Sequence, residues 1–254
     1  MRMFAGLLKA EWKKLAHTPV FWIHVILPVL GAAVFLIYDF FAGWNARSEV
    51  QMYLEVLSGV FPFLAGIICG QAAEMELQSG YQNFLCLPCP RPVGLLAKWT
   101  VLMAGALFSS LVAVLGFGLV YRLFPEGDVC SLSSYLAVAL VMWAGQGIVY
   151  LLHLFLGFQF GNAASVSVGV VGTIAAFLMM TGLGQGRWMF FPHAWSEKWC
   201  DFMLALIFAG NTGAISILKS GAWQHLLLIC TIIFVGLGTA VLLWVTFFEG
   251  RKKE

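Results

Sequence analysis

Apolar positions in this chain come in long unbroken runs, not in the alternation of a strand or the one-sided stripe of a soluble helix. No Asp, Glu, Lys or Arg occurs in residues 20–38, 56–73, 99–121, 129–186 or 220–248, and a helix needs about 20 apolar residues to cross a bilayer core. The run 129–186 is too long for one span, and Gly157-Phe158-Gln159-Phe160-Gly161-Asn162 at its centre reads as a turn between two. The pattern predicts six transmembrane helices near 20–42, 53–75, 98–121, 132–156, 166–184 and 222–248. Helices are required, because backbone groups in lipid must be satisfied within their own segment. The window 202–218 begins apolar but meets Gly210-Asn211-Thr212-Gly213, and it reads as re-entrant or interfacial. A seventh full span would separate two termini that both carry basic clusters, against the positive-inside rule.

Composition turns this pattern into a class. The chain is 61% hydrophobic over 254 residues, with 14 Lys and Arg against 12 Asp and Glu. A soluble globule of that length needs more charge to cover its surface. An all-α integral membrane protein, one transmembrane domain over 1–254, does not. The net charge of +2 is too small for a nucleic-acid surface. With both termini cytoplasmic, nine basic residues fall inside (Arg2, Lys9, Lys13, Lys14, Arg91, Lys98, Arg251, Lys252, Lys253) and five outside. Trp22, Trp44, Trp99 and Trp244 fall near predicted span ends, where indole prefers the headgroup layer, whereas Trp143 is expected to pack on a neighbouring helix. The first apolar stretch exceeds a signal-peptide core, so the first helix is expected to be retained.

Three segments outside the spans carry pattern of their own. Residues 1–18 place Phe4, Leu7, Leu8, Trp12 and Leu15 at helical spacing, with Arg2, Lys9, Lys13 and Lys14 largely on the other side, until Pro19. This is an interfacial helix with its cations at anionic headgroups, or a plain topology anchor. Residues 76–90 follow two carboxylates, Glu74 and Glu76, with a short amphipathic stretch around Phe84, Leu85 and Leu87. Pro88, Pro90 and Pro92 then stiffen the return to the membrane. The alternative is an ordinary polar loop. Residues 185–220 form an outer interfacial segment rich in Trp188, Trp195 and Trp199, either an aromatic belt or a contact surface for an amphipathic cationic peptide or lipid.

Reactive-looking groups are sparse. Cys86 and Cys89 form a C-x-x-C pair, but no second pair or nearby His completes the four ligands of a zinc site, so no metal is expected. The remaining cysteines are scattered and define no disulfide framework, although one Cys130–Cys200 bridge on the outer side is conceivable. His24, His153 and His225 lie in or at the edges of spans, yet no carboxylate at a span centre makes a proton relay with them. Asp39 and Glu55 sit near outer span ends within reach of water. Paired intramembrane carboxylates, H-E-x-x-H and G-x-S-x-G are lacking, which disfavours a membrane hydrolase.

The order of Ala10-Glu11-Trp12-Lys13-Lys14, Phe21-Trp22-Ile23-His24-Val25-Ile26-Leu27-Pro28, Pro62-Phe63-Leu64-Ala65-Gly66-Ile67-Ile68 and Glu76 followed by Gly80-Tyr81-Gln82-Asn83-Phe84-Leu85 resembles ABC-2 type permeases. Within them it is similar to lantibiotic-immunity subunits of the MutG type, most over residues 1–100. The resemblance implies a bacterial plasma-membrane exporter built from this permease, a second related permease and two copies of an ATP-binding subunit, which would use ATP and Mg. Nothing in the chain matches G-x-x-x-x-G-K-[ST], so no cofactor is expected on it. By resemblance the segment 76–90 is a coupling helix, with Glu76, Gly80, Tyr81, Gln82, Asn83, Phe84, Leu87, Pro88 and Arg91 meeting the ATP-binding subunit. Phe160, Gly161 and Asn162 form a second contact. The implied function is expulsion of a lantibiotic; the alternatives are export of a lipid, polymer or small drug, and a non-transporting sensor of the peptide.

Overall fold

A computed structural model describes residues 2–16, 18–42, 45–124 and 127–251. Met1, Trp44, Lys252 and Lys253 lie outside the described residues, as do the side chains of Arg2, Asp39 and Asn211. The chain runs through α1 (Arg2–Leu15), α2 (Pro19–Ala42), α3 (Ala46–Gln78), α4 (Gln82–Leu85), α5 (Arg91–Tyr121), α6 (Leu132–Gly145), α7 (Gly147–Phe160), α8 (Asn162–Met180), α9 (Trp195–Phe208), α10 (Gly210–Lys219) and α11 (Ala222–Phe247). Six helical stretches are long and apolar enough to cross a membrane: α2, α3, α5, α6 with α7, α8 and α11. The fold is an all-α, multi-pass membrane architecture, as the charge-free windows predict.

Two helices outrun their apolar windows. α3 starts at Ala46, where the Asn45 side chain accepts the Arg47 amide as a cap, and α5 starts at Arg91 behind Pro90, with Pro92 in its first turn. Hydropathy measures where lipid ends; caps and prolines decide where the helix ends. α8 covers 162–180, not 166–184, because Gly161 alone makes the turn (φ 99°) and α7 continues through Phe160.

Small residues set the central packing. Gly66 on α3 faces Ser165 and Gly169 on α8, and Gly70, four residues on, faces Asn162. A Cβ on Gly66 would fall 2.7 Å from the Ser165 carbonyl oxygen, so the backbones touch. The Ser165 hydroxyl donates to the Gly66 carbonyl at 2.9 Å. Prolines inside spans are handled the same way. Pro28 supplies no N–H to the carbonyl of His24, and the Ser109 hydroxyl on α5 donates to it instead at 2.8 Å.

The fourth span is broken at Gln146, between α6 and α7. The Ser196 hydroxyl donates to the Met142 carbonyl at 2.6 Å, and a Cβ on Gly145 would collide with the Ser196 backbone. Met142 lies about midway along that span, so Ser196 sits deep in the bundle. From α8 the chain folds back through three short 3-10 turns, Gly182–Gly184, Trp188–Phe190 and Pro192–Ala194. α9 then climbs to the far end of α3, where Arg47 lies 5.6 Å from the centre of the Phe208 ring.

Of the residues 185–220 expected as an outer interfacial segment, the first part packs against the bundle. Trp195 is 4% exposed and donates its indole N–H to the Met189 carbonyl at 2.9 Å. Trp188 and Trp199 pack edge to face, half-buried, at 5.7 Å. Ring-rich sequence is equally good core when the backbone can be buried with it. Trp99 differs from its expected headgroup position in the same way, donating to the Gly147 carbonyl beside the break at 2.8 Å. Trp143 packs on its neighbour as expected, donating to Met103 on α5. The six cysteines are free, and the Cys130–Cys200 bridge is not formed. Among the described residues no group of three or more His, Cys, Asp or Glu side chains is placed to hold a metal.

Candidate functional site

α1 lies against α5 at the end of the bundle that also holds the turn after α3 and residues 248–251. Both described ends of the chain therefore meet at one face, where Arg251 approaches Glu74 at 3.8 Å. The helix α1 turns Phe4, Leu7, Leu8 and Leu15 inward as its periodicity suggests, but Glu11 and Lys14 join that side and Trp12 leaves it. Glu11 and Leu15 are buried, whereas Trp12 is 50% exposed. The reason is a charge cluster. Lys14 Nζ lies 2.6 Å from Glu11 Oε1 and 2.8 Å from Glu76 Oε1; Lys98 Nζ lies 2.6 Å from Glu11 Oε2 and 2.8 Å from the same Glu76 oxygen.

Two carboxylates and two ammonium groups thus alternate in a neutral clasp that ties α1, α3 and α5 together. Lys98 is fully buried and Glu76 1% exposed. Taking such charges out of water is costly, and only mutual pairing offsets it. Burial pulls the Lys14 ammonium down, but its contacts with the carboxylates of Glu11 and Glu76 outweigh that and hold it above its usual value. Lys14 is therefore committed to the clasp and not to a lipid headgroup.

Beyond the clasp, α3 ends in a tight reversal. The Gly80 N–H donates to Leu77 and the Tyr81 N–H to Glu76, with both residues in the left-handed region (φ 63° and 59°). A tyrosine tolerates that backbone only where its side chain is held. The Tyr81 hydroxyl donates to the Phe158 carbonyl at 3.3 Å, and its ring packs with Phe158 and Phe248. Phe84 meets Phe158 edge to face at 5.0 Å. Tyr81 and Phe84 thereby pin the turn to the end of α7 and to the residue following α11. Arg91 adds a strut, donating to the Thr246 carbonyl in the last turn of α11 at 2.9 Å.

The expected coupling residues divide in two. Glu76, Tyr81 and Phe84 are buried and cannot themselves touch another subunit in this arrangement; Leu87 and Arg91 are half-buried; Gly80, Gln82, Asn83 and Pro88 are exposed. The helix foreseen across 76–90 is one turn, Gln82–Leu85. Its brevity follows from the left-handed pair before it and Pro88, Pro90 and Pro92 after it. The second turn lies alongside, joined through Phe158. Phe160 is 59% exposed, Gly161 packs beneath the Arg251 guanidinium, and Asn162 turns toward Gly70 of α3. Trp188, Trp195 and Trp199 belong to the segment that folds back after α8, apart from this face.

The clasp partners Glu11, Lys14 and Lys98 escape a reading by motif. The signal that points to them is charge at the ends of apolar runs, where lone ions in lipid require partners. The histidines are held locally. His24 Nδ1 donates to Val20 at 2.7 Å, His153 Nδ1 bonds Ser165 at 3.1 Å with its ring 5.5 Å from that of His193, and His225 is exposed. Glu55 accepts from Gln51 at 2.7 Å.

Mechanically, this face presents a small polar knob, Gly80, Gln82, Asn83 and Pro88, on a rigid mount wired to four helices. A family model described as "ABC-2 family transporter protein" matches residues 7–176, a range holding the clasp and both turns. No curated protein and no solved structure matches the chain.

Proposed function

Since the chain belongs to the ABC-2 family of transporter proteins, a permease role in membrane transport is its premise, and we propose that it expels a lantibiotic from the bacterial plasma membrane as one permease of a heteromeric, ATP-driven exporter. The partners in this reading are two ATP-binding subunits, which hydrolyse ATP with Mg, and a second related permease. The observation that carries it is the exposed Gln82–Asn83 knob fixed by buried Tyr81, Phe84 and the ion clasp. The peptide cargo is supported by the likeness of residues 1–100 to lantibiotic-immunity permeases.

In this mechanism, closure of the ATP-binding subunits presses on the knob from the cytoplasm. A flexible loop would absorb the push. Here Tyr81 and Phe84 pass it to α7 and the end of α11, and Glu76 passes it through Lys14 and Lys98 to α1 and α5. The helices then repack between two arrangements, one open to the membrane and one that releases the peptide outward. No covalent step occurs in this chain.

Co-expression with an ATP-binding subunit and a second permease encoded beside it tests the reading. Gln82→Arg with Asn83→Arg should leave the permease at normal abundance, since both side chains are exposed, but cut peptide-stimulated ATP hydrolysis and peptide resistance by about tenfold. Unaltered hydrolysis and resistance would refute coupling at this knob. Stimulation by lipids or small drugs but not by a lantibiotic would reassign the cargo.

A further inference from the structure

Between α2, α3 and α5 lies a cavity of about 370 Å³ that takes no part in the coupling face. Leu27, Gly31 and Val34 of α2 and Val56 and Val60 of α3 line it, and Pro28 bends one wall. Leu30 and Val34, each more than half exposed, stand at its edge on the outer side of α2. Along α3 it extends from Tyr53 to Ile68, about 22 Å at the helical rise per residue. It is a slot, not a bowl, and its long axis runs with the helices.

Its chemistry is as selective as its shape. No charged side chain lines it among the described residues. The hydroxyls of Tyr53 and Ser109 are already spent on the carbonyls of Ala113 and His24. Ser110 Oγ and His24 Nε2 are buried on the wall without a hydrogen-bond partner, and Gln146 and Tyr150 complete its polar side chains. The rest of the wall is aliphatic and aromatic, a lining that hydrocarbon matches better than water over most of the slot's length. The mouth lies within the apolar run of α2, a stretch that in a bilayer spans the hydrocarbon core.

We propose that this slot is a binding site for a single acyl chain of a membrane lipid, which enters sideways between α2 and α3, with Ser110 free to donate to a carbonyl the chain carries. The inference depends on membrane embedding and not on the identity of the exported cargo, so its failure leaves the export reading standing.

The test uses the full-length chain in its cell membranes and a phosphatidylglycerol whose one palmitoyl chain bears a mid-chain diazirine. After illumination, peptides from α2 and α3 that carry Leu30, Val34, Val56 or Val60 should be labelled, and the labelling should saturate and be displaced by unlabelled phosphatidylglycerol. Label on Val235 and Leu243, which α11 exposes to bulk lipid, should rise in proportion to probe and serve as the internal reference. Gly31→Leu fills the slot from a position where an added Cβ meets no atom within 4 Å. It should lower slot labelling at least fivefold relative to α11. Slot labelling that never saturates in the unaltered protein, or that Gly31→Leu leaves equal, overturns the proposal. Displacement by an amphipathic cationic peptide but not by lipid also overturns it, and gives the slot to a peptide.

Discussion

Lys98 and Glu76 show how one residue's worth depends on its partner. Replacing Lys98 by Met leaves two carboxylates facing the single ammonium of Lys14 in a buried place. The expected loss is about 3–5 kcal/mol, the range for an uncompensated buried charge. Replacing both, Glu76→Leu with Lys98→Met, should cost clearly less than the two single changes added, read from thermal unfolding in detergent micelles. Additive losses would mean the charges act separately. Tyr81→Phe should cost only about 0.5–1.5 kcal/mol, one hydrogen bond, and keep the turn, whereas Tyr81→Ala should loosen it. Glu76 and the Gly80-Tyr81-Gln82-Asn83 run were legible in the sequence as special. Their division into buried mount and exposed knob was not, because the partners of Glu76 lie 62 and 22 residues away and no local pattern reports such a distance.

Among the elements, the membrane spans were the most readable part, since the length of an apolar run is itself the physical requirement for crossing lipid. The break between α6 and α7 was hidden. Its cause is the arrival of Ser196, 54 residues after the Met142 carbonyl it bonds, and the window 129–186 has no polar interruption at Gln146 beyond that single amide. The descent of residues 181–195 into the bundle was hidden for a related reason. A run such as Trp188-Met189-Phe190-Phe191 satisfies a headgroup belt and a protein core alike. Gly145→Val checks the arrangement, because its side chain would strike the Ser196 backbone. The variant should release the segment that folds back after α8, raise proteolysis between Gly182 and Trp195 severalfold, and lower the melting temperature; Ser196→Ala, which adds no bulk, should do so only mildly.

The whole molecule gathers both described ends, the clasp and the two turns at one face, and the segment that folds back after α8 lies toward the other. If that face is cytoplasmic, as the basic residues predict, a membrane-impermeant maleimide should label exposed Cys86 in inside-out vesicles and not in intact cells. Cys69, Cys130, Cys200 and Cys230 are buried and should react only after denaturation. Labelling of Cys86 from outside would invert the topology. The family match covers residues 7–176, which hold the clasp and both turns but not the segment after α8 or α11.

The clasp also dictates an order of events during synthesis. Glu11 and Lys14 leave the ribosome long before Glu76 and Lys98 exist, so the first helix must wait, unanchored, while three spans are inserted. A nascent chain stopped short of residue 98 holds two acids against one base, and only Lys14 can fasten its beginning to Glu76. Completion of the third span is therefore the moment at which the newborn protein changes from a loose tail for proteases to grip into a closed body.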